Sequence, residues 1–313
     1  MTPNRVVALS GGIGGAKLAL GLSRILPPAD LLVLANTGDD FEHLGLHISP
    51  DIDTLMYTLA GLDNLELGWG RRDETWSFME TLAALGGADW FRLGDRDLAV
   101  HVERTRRLRH GESLSAITAD FCRRLGVGPR VLPVSDDPVR TRLRTDEGWL
   151  DFQDYFVRLR CRPVVREIAF AGAAAARAHP DFLAALGAET LRAVIICPSN
   201  PFISVEPILA VPGVRRAIAA CRAPVIAVSP IIAGRAVKGP TAKIMTELGI
   251  APGAAAVAER YGDLLDGYVI DSTDASEAAG LGPRVTLAPT LMTTLAEREA
   301  LARVVLAAAD AIR

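Results

Sequence analysis

The sequence predicts an α/β fold: a Rossmann-like, doubly wound, mostly parallel sheet carrying a large helical and β insertion. Three observations support this. An apolar strand over residues 5–9 runs through a glycine-rich turn, Ser10-Gly-Gly-Ile-Gly-Gly-Ala-Lys17, into an amphipathic helix. A second apolar run over 31–35 completes a βαβ unit. After a long helical stretch, strand–helix alternation returns near residue 180. In sheets of this kind ligands gather at the carboxyl ends of the strands.

The elements follow in order. The first helix covers roughly residues 16–26 and is closed by Pro27 and Pro28. Helices are expected over 51–60, 74–85, 96–109 and 113–125. The second carries Trp76, Met79, Leu82 and Leu85 at helical spacing, and Ser113 is placed to cap the last. Short β-like runs come next at 130–134, 139–144, 148–151 and 164–170, with the aromatic segment 152–156 among them. Strands are then expected at 193–197, 225–229 and 267–271, a weaker one at 284–288, and a final helix over 293–312. The expected organisation is a Rossmann-like nucleotide-binding core of residues 1–50 and 164–313, with 51–163 as a mainly helical insertion.

Composition narrows the class. The chain has 313 residues, half of them hydrophobic, with a formal net charge of -3. Nothing basic overall recommends nucleic acid as a partner. No apolar run approaches the roughly 20 residues that span a bilayer, and the first residues do not read as a signal peptide. Cys122, Cys161, Cys197 and Cys221 form no CxxC pair and read as buried thiols of a reducing, cytoplasmic compartment. Lysines are scarce: Lys17, Lys238 and Lys243 are the three among 34 basic residues. All three lie in glycine-containing segments suited to anions.

Several motifs carry chemistry. The glycine turn fits neither G-x-G-x-x-G nor the P-loop pattern. Small residues between a strand and a helix serve either an anion at the helix N-terminus or a tight βα turn. Asn36-Thr-Gly-Asp-Asp40 follows the second strand, and Asp51 and Asp53 open the next helix behind Pro50. Such carboxylates act as helix caps, or as ligands for a divalent cation and orienters of a hydroxyl. His43 and His47 would share a helical face, but no further ligand pattern supports zinc. The joints Trp69–Trp76 and Leu93–Asp97 combine Trp, Arg and Asp, suiting either solvent or an aromatic polar ligand. Pro198-Ser-Asn-Pro201 and the segment Ser229–Lys243 also follow strands. Ser199 lacks a nucleophile elbow, which argues against Ser-His-Asp hydrolysis.

Taken together, these segments resemble the 2-phospho-L-lactate transferases of deazaflavin coenzyme F-420 biosynthesis. The resemblance runs through Ser10–Lys17, Asn36–Asp40, Ser49–Thr54, Arg72–Trp76, Leu93–Asp97, Leu132–Pro138, Phe152–Tyr155, Pro198–Pro201 and Ser229–Gly234. It implies a magnesium-dependent transfer to the ribityl hydroxyl of FO, 7,8-didemethyl-8-hydroxy-5-deazariboflavin. The donor would be a guanosine-diphosphate-linked 2-phospholactate, phosphoenolpyruvate or 3-phosphoglycerate, and GMP would leave. Asp39, Asp51 and Asp53 would be catalytic, with Asp39 and Asp51 at the metal. Asp53, Trp76, Asp95 and Arg96 would contact FO, with the insertion contributing to that site. Gly11, Gly12, Gly14, Lys17, Ser199, Asn200 and Lys238 would serve the nucleotide and its phosphates. The resemblance also implies a homodimer, and a separate protein for glutamylation. Two rivals remain. A non-enzymatic nucleotide-sugar-binding regulator of the same fold group would not need the two charged joints. A nicotinamide-dependent oxidoreductase would require the intact glycine spacing.

Overall fold

A computed structural model describes residues 4–313. Seven parallel strands form the central sheet: β1 (Arg5–Ser10), β2 (Leu31–Ala35), β3 (Arg130–Pro133), β4 (Leu191–Ile196), β5 (Val225–Val228), β6 (Gly267–Asp271) and β7 (Arg284–Ala288). Their spatial order is β7-β6-β5-β4-β1-β2-β3. The order in which strands are added to the sheet therefore reverses between β1 and β4, and a crevice opens at such a switch point beyond the strand ends.

Each inner strand is apolar on both faces because helices cover both. Val6 and Ala8 face one layer while Val7 and Leu9 face the other. The first layer holds α1 (Gly12–Ile25), α2 (Pro50–Ala60), the helix Leu114–Arg124 and the last helix, Leu295–Asp310. A Cβ at Gly21 would collide with the Arg298 carbonyl oxygen, so the missing side chain lets α1 lie close against the last helix. The other layer is built on Phe182, Val214, Ile218, Ile244 and Val257. Ser113 caps its helix as expected, accepting from the Ala116 N–H at 3.2 Å.

The sheet does not respect the boundary drawn at residue 51. Strand β3 pairs with β2, and α2 packs Ile52, Leu55 and Met56 under the sheet. Parallel neighbours need a crossover, and α2 begins the one from β2 to β3. The additions outside this frame are the helical segment around Ser77–Ala84 and Asp95–Arg109, and a three-stranded antiparallel sheet of 140–145, 148–151 and 165–171. His43 and His47 lie on a short hairpin rather than a helix, Phe41–His43 pairing with Leu46–Ile48. His43 packs edge-on to Trp90, while His47 reaches Asp40 at 3.3 Å.

Candidate active site

A cavity of about 570 Å³ occupies the switch-point crevice. Its floor is the glycine turn together with the start of α2. Pro50 at the first helical position pre-sets the backbone there and sends Asp51 toward α1. The Gly12 N–H donates to Asp51 Oδ1 at 2.6 Å, and the Gly11 N–H donates to Ser199 Oγ at 3.1 Å. A Cβ on Gly11 would lie 2.6 Å from Ser204 Cβ and 2.7 Å from Asp51 Oδ2. The missing side chain at Gly11 therefore lets three loops converge, and the Gly11 and Gly12 N–H groups are engaged within the protein. Helix α1 has no side-chain cap. Its open N–H groups belong to Ile13 and Gly14, which also line the cavity.

Asn36 ties the acidic residues together. Its Nδ2 donates to Asp51 Oδ2 at 2.8 Å and to Asp39 Oδ1 at 3.2 Å. Neither carboxylate has an ion-pair partner among the described residues. Burial, with Asp40 adding repulsion, pushes Asp51 up to about 6 against the hydrogen bonds from Asn36 and Gly12. Burial and the charges of Asp51 and Asp40 push Asp39 well above the carboxylate range. The pair is a set of hard oxygens lacking a positive charge.

Asp53 is different. Its carboxylate is gripped by both terminal nitrogens of Arg104, a residue only 1% exposed. Asp53, Tyr57, Asp97 and His101 also line the cavity. Among the cations, Lys17 donates to the Met292 carbonyl at 2.7 Å, and Lys238 also lines the cavity. Burial first, then Arg298 and Lys238, lower the Lys17 ammonium from its ordinary value. Asn200 Oδ1 accepts from the Phe202 N–H at 2.9 Å, while its Nδ2 is buried without a protein partner. The lining is also aromatic, with Trp69, Trp90, Phe91 and Phe152.

The cavity thus brings together Gly11, Gly12, Gly14, Lys17, Asp39, Asp51, Asp53, Ser199, Asn200 and Lys238. Trp76, Asp95 and Arg96 fall outside its lining. The Asp95 carboxylate accepts from Thr75 Oγ1 at 2.5 Å and from the Ser77 and Phe78 N–H groups at 3.1 Å, which makes it a cap for Ser77–Ala84. Trp76 stands one layer back, under the Arg92 guanidinium at 4.2 Å and edge-on to Trp69. The Arg96 side chain is exposed to solvent. Lys243 also leaves the anion group, because it pairs with Glu247 and donates to the Pro163 carbonyl. Sequence reasoning missed Tyr57, His101 and Arg104. The available signal was spacing: Asp53 and Tyr57 share a face of α2, and Asp97, His101 and Arg104 share a face of the helix Asp95–Arg109.

The profile of the 2-phospho-L-lactate transferase CofD family matches residues 6–282. The chain belongs to that family. The transferase is 44% identical over 320 residues to a phosphoenolpyruvate transferase of Streptomyces griseus subsp. griseus, covering 99% of each chain. It is 43% identical to the protein of that name from Streptomyces coelicolor, again over 99% of each. A phosphoenolpyruvate transferase of Mycolicibacterium smegmatis is 38% identical over 98% of each. Among solved structures, a UPF0052 family member from Bacillus halodurans superposes with a TM-score of 0.66 at 15% identity, covering 98% of this chain and 99% of that one. At that identity the likeness speaks for the fold alone. No helix among the described residues is long and apolar enough to cross a membrane.

Proposed function

We propose that this transferase moves a phosphoenolpyruvyl group from a guanosine-diphosphate-linked donor to the ribityl hydroxyl of FO, releasing GMP, in coenzyme F-420 biosynthesis in the cytoplasm. The observation that carries the reading is the joining of the anion loop and the acidic pair. Asp51 accepts from the Gly12 N–H and shares Asn36 with Asp39, so the phosphate-side loop and the cation-seeking carboxylates form one unit. The aromatic lining offers stacking faces to a flat deazaflavin. The choice of acid, among phosphoenolpyruvate, 2-phospholactate and 3-phosphoglycerate, follows the names of the full-length relatives.

Asp39 and Asp51 fit magnesium: two buried carboxylates, mutually repelling, with no ion-pair partner among the described residues. Bound there, magnesium would offset charge on the diphosphate and on departing GMP. The remaining roles belong to the chain. Lys17, Lys238 and the open N–H groups of α1 hold the phosphates. Ser199 and Asn200 fix the loop beside them, and the unpartnered Asn200 amide is a donor for the nucleotide. Asp53 accepts a hydrogen bond from the FO hydroxyl. That oxygen forms the new P–O bond to the phosphorus bearing the acid, the anhydride P–O bond to GMP breaks, and the hydroxyl proton passes to the Asp53 carboxylate and from there to water. Most of the acceleration then comes from positioning and charge neutralisation.

The test is to incubate the purified protein with FO, magnesium and each of the three guanylylated acids, and to identify the deazaflavin product by mass spectrometry. A phosphodiester formed fastest from the phosphoenolpyruvyl donor is expected. Preference for another acid would overturn the donor assignment. Unchanged FO with all three would favour a binding regulator.

A further inference from the structure

We propose that Arg104 is a positioning residue for this reaction, aiming the Asp53 carboxylate at the acceptor hydroxyl as part of a buried polar cluster that runs from Tyr57 to Asp53. The inference rests on the transferase reading above. The Tyr57 hydroxyl donates to Asp97 Oδ1 at 2.5 Å. Asp97 Oδ2 lies 3.2 Å from His101 Nε2. His101 Nδ1 is 3.4 Å from Arg104 Nη1, which donates to Asp53 Oδ2 at 3.0 Å, while Nη2 holds Asp53 Oδ1. The guanidinium, which can only donate, makes His101 Nδ1 the acceptor and leaves the ring proton on Nε2, which lies close to Asp97 without hydrogen-bond geometry.

The cluster joins α2 to the helix Asp95–Arg109. Four of its five members line the cavity, and Arg104, the fifth, reaches it through Asp53 and His101. A buried ion pair of this kind adds little net stability, because desolvation offsets the attraction. A two-pronged guanidinium does fix the plane of a carboxylate, which a lysine ammonium cannot do. Asp53, Asp97 and His101 also offer atoms within 4.8 Å of one another, a grouping able to hold a cation. Arg104 already supplies that positive charge.

The experiment measures kcat and KM for FO, with FO affinity measured separately by titration. It compares the full-length wild type, Arg104→Lys, Arg104→Ala with and without added guanidinium, and Asp97→Asn. For Arg104→Lys, kcat should fall on the order of 100-fold, the scale expected from a misaimed group, while FO affinity is unchanged. Guanidinium should restore part of the activity of Arg104→Ala. Wild-type kcat in folded Arg104→Lys, or failure of guanidinium to rescue a folded Arg104→Ala, would overturn the proposal. Should the Arg104 variants not fold, Asp97→Asn decides. A kcat loss of about 10-fold at unchanged FO affinity supports the proposal, and an unchanged kcat overturns it. Absence of product from the wild type would instead overturn the functional reading, a distinct result.

Discussion

Replacing Asp51 with asparagine should make the metal-free protein more stable at neutral pH while removing its activity. Asp51 is pushed up to about 6 by burial and by Asp40. An ordinary aspartate titrates near 3.9, so keeping Asp51 ionised at pH 7.5 costs the folded state about 3 kcal/mol. The sign follows from the raised value. The cost is absent well below pH 4, grows as pH rises toward 6, and is complete above it. Asp51→Asn deletes this cost and relieves Asp39. It also sets a new NH₂ group against the Asn36 Nδ2 donor, and Asn36 cannot turn over because its Oδ1 accepts from the Gly38 N–H at 2.8 Å. One lost hydrogen bond costs about 1 kcal/mol. The net expectation is a gain of about 2 kcal/mol at pH 7.5 and a slight loss at pH 4. Urea midpoints at both pH values, in a chelator, measure this. A variant less stable than wild type at pH 7.5 would refute the reasoning. Transfer activity should fall by about 10²–10³-fold, the scale of losing one electrostatic stabiliser.

Other expectations follow from the same geometry. Magnesium should raise the melting temperature at pH 7.5 and lose that effect toward pH 5, where protons compete for Asp51; equal shifts at both pH values would place the cation elsewhere. Lys17→Met should raise the KM for the guanylylated donor by about 10-fold, the scale of one charge-assisted hydrogen bond, with little change for FO. Asp95→Ala should lower the melting temperature through loss of the cap on Ser77–Ala84 while leaving both KM values unchanged, and a raised KM for FO would return Asp95 to the site. Gly21→Ala should destabilise by about 1–3 kcal/mol through overpacking against the Arg298 carbonyl, visible in denaturant melts, without altering KM.

Much of this was legible in the chain because the signals are local. The strand, glycine turn and helix from Arg5 to Ile25 are consecutive, and Asp51 and Asp53 sit just behind a proline that marks a helix start. What escaped was set by distant contacts. Arg104 and Asp53 are 51 positions apart. In sequence Arg104 looks like its neighbours Arg106, Arg107 and Arg109, and burial alone distinguishes it. Strand β3 read as part of an insertion because its partner β2 lies about a hundred residues earlier. Asp95 and Lys243 misled for the opposite reason. Each has the right residue type beside a loop, yet a local partner, the Ser77 and Phe78 N–H groups or Glu247, takes up its charge. Gly11 and Gly12 were placed at the phosphates for their N–H groups, whereas in the structure Gly11 allows close approach of Asp51 and Ser204, and Gly12, at φ +64°, turns its N–H to Asp51.

In the proposed reaction one cavity couples the release of GMP to esterification of FO. The direct measurement is a time course with the phosphoenolpyruvyl guanosine diphosphate donor, FO and magnesium, quantifying both products in each sample. GMP and the FO phosphodiester rising one for one, with neither formed by Asp51→Asn, is the predicted result. Donor bound by folded protein with no FO product, or GMP released without it, would contradict the account.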